Sequence, residues 1–284
     1  MRAFARCVSG LRAVCRGLLL VSPAAIWQSL SSGPSSGIHL LGLTWRAHLA
    51  TGKHCLLPVV DIWEVIPVSD GRVELPTRPS MSSSLGGMVL SAAEAVSLAL
   101  LARNSSPRCI LEIGTASGGT TRLLALNAPD AVVHTLDLPP RETKTLLQGT
   151  DAGFIESRTV GAAFAGTAEA ARIVQHFGDS AEFDFGSIQG GVDLAFIDGS
   201  HSYEYVRSDT EKVLSVMAED GIIVWHDYGG GVALGYGVTE YLAEIQRHLG
   251  VCLIRGTSLG VARLGRERRA GRLPRSRSRE SDIT

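Results

Sequence analysis

Two pairs of polar residues in this sequence could bind a metal ion or move a proton. Asp198 and His201 follow one apolar run, and His226 and Asp227 follow the next one along the chain. An apolar run that stops at polar residues is typical of a buried strand. A single polar residue at a strand end usually only caps the chain, but four at two neighbouring ends favour a functional site. Two carboxylates with a histidine suit Mg²⁺ or Mn²⁺, and His201 can act as a general base near neutral pH.

A glycine-rich turn lies further upstream. Gly114, Ala116 and Gly118 follow an apolar run that contains Glu112, and a helix pattern begins directly after them. Such small residues allow a sharp turn and close approach of the backbone to a ligand, and the free N–H groups of a helix start attract anions. The spacing departs from the dinucleotide fingerprint. Glu112 suits a ligand that carries an amino group and a positive charge, although a tight turn without any ligand stays open as the alternative.

Two further carboxylates follow predicted strands. Asp137 lies 25 residues after Glu112, at the end of the second strand, where an acidic residue can accept hydrogen bonds from both ribose hydroxyls. Asp179 follows the third strand and could accept a hydrogen bond from an adenine amino group. Each of the two could instead only form a turn. Together with the glycine-rich turn, Asp137 favours a nucleoside-binding site.

The order of predicted elements indicates the fold that must position these residues. Strands and helices alternate, which predicts a doubly wound α/β fold with a mostly parallel sheet. Only a Gly-Thr-Ser turn separates the last two strands, so the final strand should run antiparallel. The predicted strands are Cys109–Ile113, Val132–Leu136, Ile173–Phe177, Val192–Ile197, Gly221–Trp225, Val251–Ile254 and Leu259–Arg263. The predicted helices are Ser91–Leu101, Thr120–Leu126, Thr167–Arg172, Tyr203–Met217 and Val238–His248.

Composition divides the 284 residues into four parts. Residues 1–60 are predicted to be a basic N-terminal extension, 61–84 an irregular linker, 85–264 the α/β domain, and 265–284 a disordered arginine-rich tail. The leading interpretation of the extension is a basic amphipathic helix that packs on the domain or touches a membrane surface. A signal or transit peptide, a poorly ordered extension and an artefact of an upstream start codon are the alternatives.

Charge and cysteine content restrict the class of protein. The net charge is −1, so no overall basic field indicates a nucleic-acid partner. The five cysteines are scattered and contain no Cys-x-x-Cys, which argues against disulfides or a zinc site and for a reducing compartment. No apolar run reaches the ~18 residues of a membrane span. We therefore expect a cytoplasmic protein, with peripheral membrane contact through the N-terminus as an option.

These motifs resemble a known family. The run from Glu112 to Gly118, together with Asp137, Asp179 and Phe-Ile-Asp-Gly-Ser-His, resembles the class I S-adenosylmethionine-dependent methyltransferases. Asp198-Gly-Ser-His followed by His-Asp227 further resembles the macrocin-type sugar O-methyltransferases and the cephalosporin-hydroxylase-like methyltransferases. The resemblance covers about residues 85 to 264. It implies a seven-stranded Rossmann-like sheet with an antiparallel last strand.

The resemblance also implies roles for individual residues. Gly114 and Gly118 would face the methionine part of S-adenosylmethionine, and Ala116 replaces the usual middle glycine. Glu112 would order the loop. The ribose and the adenine would lie against two later carboxylates, Asp137 and Asp179 respectively.

In the macrocin-type enzymes, the positions that match Asp198 and Asp227 bind Mg²⁺ and the position that matches His201 is the base. The residue before the second aspartate is commonly acidic there, but it is His226 in this chain. A histidine ligand is less usual for Mg²⁺ than for Mn²⁺, Fe²⁺ or Zn²⁺. The expected metal ligands are therefore Asp198, Asp227 and, with Mn²⁺ in particular, His226.

The expected activity is methylation of a hydroxyl on a small-molecule acceptor, a sugar or glycosylated metabolite or another polyhydroxylated natural product. Three alternatives stay open. One is a metal-free methyltransferase with His201 or His226 as the base. The others are a nicotinamide-dependent reductase and a non-catalytic module that binds the cofactor, or RNA through the arginine-rich tail.

Overall fold

The computed structural model describes five stretches of the chain, residues 57–76, 90–139, 159–188, 190–229 and 237–265. The basic extension up to residue 56 and the tail from residue 266 lie outside these stretches. The interpretations of both therefore stay predictions, including the membrane contact. Within the described stretches, no helix is long and apolar enough to cross a bilayer.

The centre of the fold is one eight-stranded sheet. The strands are β1 (Val59–Val60), β2 (Cys109–Ile113), β3 (Val132–Asp137), β4 (Ile173–Phe177), β5 (Val192–Ile197), β6 (Met217–Trp225), β7 (Cys252–Ile254) and β8 (Gly260–Arg263). Their order in the sheet is β1-β7-β8-β6-β5-β2-β3-β4. Every neighbouring pair is parallel except β6 with β8 and β7 with β8, which are antiparallel.

Helices cover both faces of this sheet. On one face, α1, α2 and α3 pack against apolar side chains of β2, β3 and β5. On the other face, α4 and α5 pack against β2, β5 and β6. Burial on both faces explains why β2 is buried at all five positions. The helices are α1 (Ile62–Val65), α2 (Ala92–Ser105), α3 (Gly119–Asn127), α4 (Tyr203–Val216) and α5 (Val238–Leu249), and two 3₁₀-helices span Ala168–Arg172 and Phe185–Ser187.

The predicted fold class is confirmed, with two differences in detail. All seven predicted strands are present, and the last strand is antiparallel as the short turn indicated. An eighth strand, β1, adds to the edge of the sheet by pairing with β7. The helix predicted over Thr167–Arg172 is a 3₁₀-helix of five residues, and β4 begins directly after it.

The segment 57–76 is attached to the domain rather than separated from it. Beyond β1, the side chain of Asn127 on α3 accepts a hydrogen bond from Glu74 N (2.8 Å) and donates to Glu74 O (2.8 Å). The side chain of Asn104 on α2 likewise accepts hydrogen bonds from Ser69 N and Asp70 N and donates to Asp70 O. This part of the predicted extension and linker therefore packs on the α/β domain, upstream of the predicted domain start at residue 85.

We predict that Asn127→Ala lowers the free energy of unfolding by about 2 kcal/mol, because it removes both hydrogen bonds to the backbone of Glu74 and leaves a cavity in place of a buried side chain. Asn127 is fully buried. Urea unfolding followed by circular dichroism measures the change. Asn104→Ala is the matched control and should cost less, because the side chain of Asn104 is only part-buried and water can replace the amide. Equal losses in the two variants would contradict this account of the segment.

Candidate active site

Three parallel strands end at the same level and place the candidate residues side by side. In the sheet register, Ile113 pairs with Ile197, and Ile197 pairs with Trp225. The ladder continues one residue further, since Asp198 N donates to Ile113 O (2.8 Å) and His226 N donates to Ile197 O (3.1 Å). The polar residues that follow β5 and β6 are therefore fixed at one edge by backbone hydrogen bonds.

The glycine-rich turn contacts the loop after β5 through its backbone. Gly114 has a φ of +101°, and a Cβ atom at this position would lie 2.0 Å from the carbonyl oxygen of Asp198. Only glycine fits such an approach. Ala116 also has a positive φ, +45°, which is strained for a residue with a side chain. Gly118 is the N-cap of α3, with a φ of +84°.

Glu112 lies inside the protein beneath this turn. It is fully buried, and its Oε2 accepts hydrogen bonds from the hydroxyls of Thr121 and Thr135. Burial raises the pKa of Glu112 to about 8, against the effect of these two hydrogen bonds. Its Oε1 has no hydrogen-bond partner among the described residues. Glu112 therefore ties β2, β3 and α3 together below the turn instead of opening onto solvent.

The two later carboxylates lie at the same edge of the sheet. Asp137 accepts hydrogen bonds from Ala116 N (2.7 Å) and Leu138 N (2.6 Å), so it already contacts the glycine-rich turn. Asp179 accepts from Ala181 N (2.9 Å), which is the turn-forming role left open by the sequence. Its other oxygen accepts from the hydroxyl of Tyr205 (2.7 Å). The structure thus brings Asp137 to the turn and gives Asp179 a partner on α4.

Asp198, His201 and Asp227 form a compact group where β5 and β6 end. The Nε2 atom of His201 lies 2.9 Å from Oδ2 of Asp227. Each of the three residues offers a ligand atom, and these atoms all lie within 4.8 Å of one another. Asp227 has a φ of +62°, a strained conformation that sets the direction of its side chain. This group can orient a basic imidazole or hold a cation.

His226, which the sequence suggested as a metal ligand, lies beside this group. Its Nδ1 lies 3.2 Å from Oδ1 of Asp198 and 3.1 Å from Oδ2 of Asp227. Its Nε2 faces Oε2 of Glu94 at 3.6 Å. Because both ring nitrogens face carboxylates, the ring is placed as an ion-pair partner. Its role as a metal ligand stays a prediction.

Glu94 was missed by sequence reasoning. This residue lies in the first turn of α2, where Ser91 and Glu94 form a capping box. Its Oε1 accepts hydrogen bonds from Ser258 N (2.9 Å) and Ser258 Oγ (2.7 Å) in the turn between β7 and β8. The available signal was an acidic residue in an apolar helix pattern, but its contact with His226 links positions 132 residues apart and depends on the tertiary fold.

Charges of opposite sign alternate through this cluster. Burial alone would lower the pKa of His226, but Asp198, Asp227 and Glu94 raise it well above its ordinary value. Burial would raise the pKa of Asp227, yet His201 and His226 hold it well below its ordinary range. Burial would also raise the pKa of Glu94. The hydrogen bonds of Glu94 with His226 and Ser258 outweigh burial, so the pKa of Glu94 is lowered. The buried charges are therefore paired, as burial requires.

A family model described as a methyltransferase domain matches residues 111–228. Over these residues the chain is similar to methyltransferase domains. The match includes the glycine-rich turn, both later carboxylates and the group formed by Asp198, His201 and Asp227, whereas Glu94 and Ser258 lie outside it. No curated protein sequence matches the chain.

Solved structures, two of them of methyltransferases, resemble this one at low sequence identity. The O-methyltransferase TomG from Streptomyces achromogenes is 19% identical, with 63% of this chain and 82% of that chain covered and a TM-score of 0.45. The methyltransferase PaMTH1 from Podospora anserina, bound to SAH, is 18% identical, with coverages of 63% and 80% and a TM-score of 0.47. Cofactor-bound Rv0187 from MTB is 20% identical, with coverages of 86% and 95% and a TM-score of 0.44. Likenesses this remote carry no further argument about this chain.

We predict that Glu112→Gln changes how the stability of the α/β domain depends on pH. The pKa of Glu112 is about 8 in the folded protein against an ordinary value of 4.5. Its contribution to stability is therefore complete below pH 4.5 and is lost as the pH rises through 8. Glutamine resembles the protonated acid at every pH. Relative to the wild type, the variant should gain up to about 1.4 kcal/mol per pH unit across this interval.

Urea unfolding of the ligand-free proteins at several values between pH 5 and pH 8 measures this difference. The exposed Glu240 on α5 provides the matched control, and Glu240→Gln should follow the wild type at every pH. A constant difference between Glu112→Gln and the wild type would show that Glu112 has the same charge in both states.

Proposed function

We propose that the domain transfers a methyl group from S-adenosylmethionine to a hydroxyl of a small-molecule acceptor, a sugar or another polyhydroxylated natural product. One observation carries the proposal. The group formed by Asp198, His201 and Asp227 lies directly against the glycine-rich turn, because Gly114 contacts the backbone of Asp198. A proton acceptor and a cofactor-type turn therefore share one edge of the sheet, which is where ligands bind in doubly wound folds.

The residues around the turn fit the proposed cofactor, which supplies an electrophilic methyl group on a sulfonium when it is bound. Gly114, Ala116 and Gly118 would line the methionine part, and the buried Glu112 would keep this turn in shape from below. Oε1 of Glu112 has no hydrogen-bond partner among the described residues, so this residue keeps a free polar atom below the turn. The ribose would lie against Asp137 and the adenine against Asp179.

His201 is the proposed base. It would remove the proton from the acceptor hydroxyl, so that the oxygen becomes the nucleophile for methyl transfer. Asp227 would orient the imidazole through Nε2 and stabilise the positive charge that the ring acquires. Because the acceptor must lie in line with the methyl group, much of the rate enhancement would come from orientation.

Asp198 and Asp227 fit a divalent cation, Mg²⁺ or Mn²⁺, which would polarise adjacent acceptor oxygens and lower the pKa of the hydroxyl. His201 cannot act as the base if the ring nitrogen that would accept the proton binds the metal instead. A specific observation favours a metal-free variant of the reaction. The imidazole of His226 already lies within 3.2 Å of both carboxylates and supplies positive charge at that place.

We predict that the protein binds S-adenosylhomocysteine and that Asp137→Ala weakens this binding about 10- to 100-fold, since hydrogen bonds to the ribose are lost. Isothermal titration calorimetry measures both affinities. Asp130→Ala is the matched control, because this exposed aspartate precedes the other end of β3 and should leave the affinity unchanged. Absence of binding would refute the proposal. Preference for NADH would then favour a reductase, and salt-dependent RNA binding a non-catalytic module.

We predict that His201→Ala abolishes turnover of an acceptor found by screening sugars and glycosylated metabolites, while the affinity for S-adenosylhomocysteine stays the same. His248→Ala, at an exposed position on α5, should keep full activity. The same assay with Mg²⁺, with Mn²⁺ and after EDTA separates the two variants of the reaction. Loss of activity after chelation supports the metal, and full activity supports the metal-free reaction. Turnover by His201→Ala would contradict the assignment of the base.

A further inference from the structure

The loop after β4 is held in place by one face of α4. Tyr205, in the first turn of α4, is almost fully buried and its hydroxyl donates to Oδ2 of Asp179 (2.7 Å). Two turns further along the helix, Nζ of Lys212 donates to the backbone oxygens of Ser180 (2.9 Å) and Ala181. Residues seven positions apart lie on the same face of a helix. One face of α4 therefore fixes both the backbone of this loop and the carboxylate of Asp179.

The carboxylate of Asp179 is fixed at both of its oxygens. Oδ2 accepts from Tyr205, and Oδ1 accepts from Ala181 N (2.9 Å). Burial raises the pKa of the Tyr205 hydroxyl and the adjacent Asp179 raises it further, so the hydroxyl stays protonated and donates. A carboxylate has about four acceptor directions, so two remain. Asp179 is only part-buried, which leaves it accessible to a ligand.

The position of this carboxylate connects it with the proposed ribose site. Gly178 N donates to the backbone oxygen of Asp137 (2.9 Å), and Asp179 is the next residue. The ribose and the base are adjacent parts of one ligand, so a base bound beyond Asp137 would lie against this loop. A carboxylate there can only accept hydrogen bonds. It therefore favours an amino group on the base and disfavours a carbonyl oxygen.

We propose that Tyr205 is a positioning residue that gives the nucleoside site its preference for a 6-aminopurine over a 6-oxopurine. This inference rests on the proposed function. A carboxylate that is free to rotate could turn away from a carbonyl oxygen or interact with it through water. The hydroxyl of Tyr205 removes this freedom, so the wrong base meets a fixed negative charge. Sites built around a fixed polar partner reject the mismatched analogue strongly.

The test compares S-adenosylhomocysteine with S-inosylhomocysteine, which carries a carbonyl oxygen in place of the amino group. Isothermal titration calorimetry gives both affinities for the wild type and for Tyr205→Phe. We expect the wild type to favour the amino ligand at least about 10-fold, the energy of one hydrogen bond to a charged group. Tyr205→Phe should weaken the amino ligand about 5-fold or more. It should strengthen the oxo ligand, because the freed carboxylate can turn away from the carbonyl oxygen, so the ratio of the affinities falls.

Tyr203→Phe is the matched control. Tyr203 lies in the same turn of α4, but its hydroxyl donates to Glu244 on α5 (2.6 Å). This substitution should leave the ratio of the two affinities as it is in the wild type. In an Asp179→Ala background, Tyr205→Phe should have no further effect on the ratio, because the carboxylate on which it acts is gone.

The possible outcomes separate this inference from the proposed function. If the wild type binds neither ligand, the proposed function fails and this inference fails with it. If the wild type binds both equally, Asp179 does not discriminate the base and only the inference is overturned. If Tyr205→Phe weakens both ligands by the same factor, or acts equally in the Asp179→Ala background, Tyr205 is only structural and the inference is again wrong.

Discussion

The common level of β2, β5 and β6 at their carboxyl ends is the constraint on which the candidate site depends. Backbone hydrogen bonds continue one residue past Ile113 and Ile197, so the next residues of each strand are held as firmly as the sheet itself. The close approach of Gly114 to Asp198 then joins the glycine-rich turn to the loop that carries His201. A shift of register by one residue would separate the proposed cofactor turn from the proposed base. It would also move every side chain of the shifted strand to the opposite face of the sheet.

Burial of several charges beside this edge requires that each one is paired. Isolated ions in a protein interior cost several kcal/mol each, and the structure meets this cost by surrounding His226 with the carboxylates of Asp198, Asp227 and Glu94. The arrangement also joins distant parts of the chain, because Glu94 contacts Ser258 in the turn before β8. Because His226 already supplies positive charge beside the carboxylates of Asp198 and Asp227, a metal-free reaction is an alternative to metal assistance.

Much of the fold was readable from the sequence because its signals are local. Apolar runs gave the seven main strands, and the short turn before Gly260 gave the antiparallel last strand. The strand β1 escaped detection, since two residues give no periodic pattern and its stability comes from pairing with β7. The attachment of residues 57–76 was missed for a similar reason, because Asn127 binds the backbone of Glu74 across 53 residues of sequence.

The sequence alone determined the types of the site residues and the strand ends that carry them, since an apolar run followed by Asp198 or Asp227 is a local signal. Only the tertiary structure decided which side chains meet. It paired His201 with Asp227, directed both nitrogens of His226 to carboxylates and buried Glu112 beneath the turn. These outcomes depend on side-chain direction and on contacts between distant segments, which spacing along the chain does not specify.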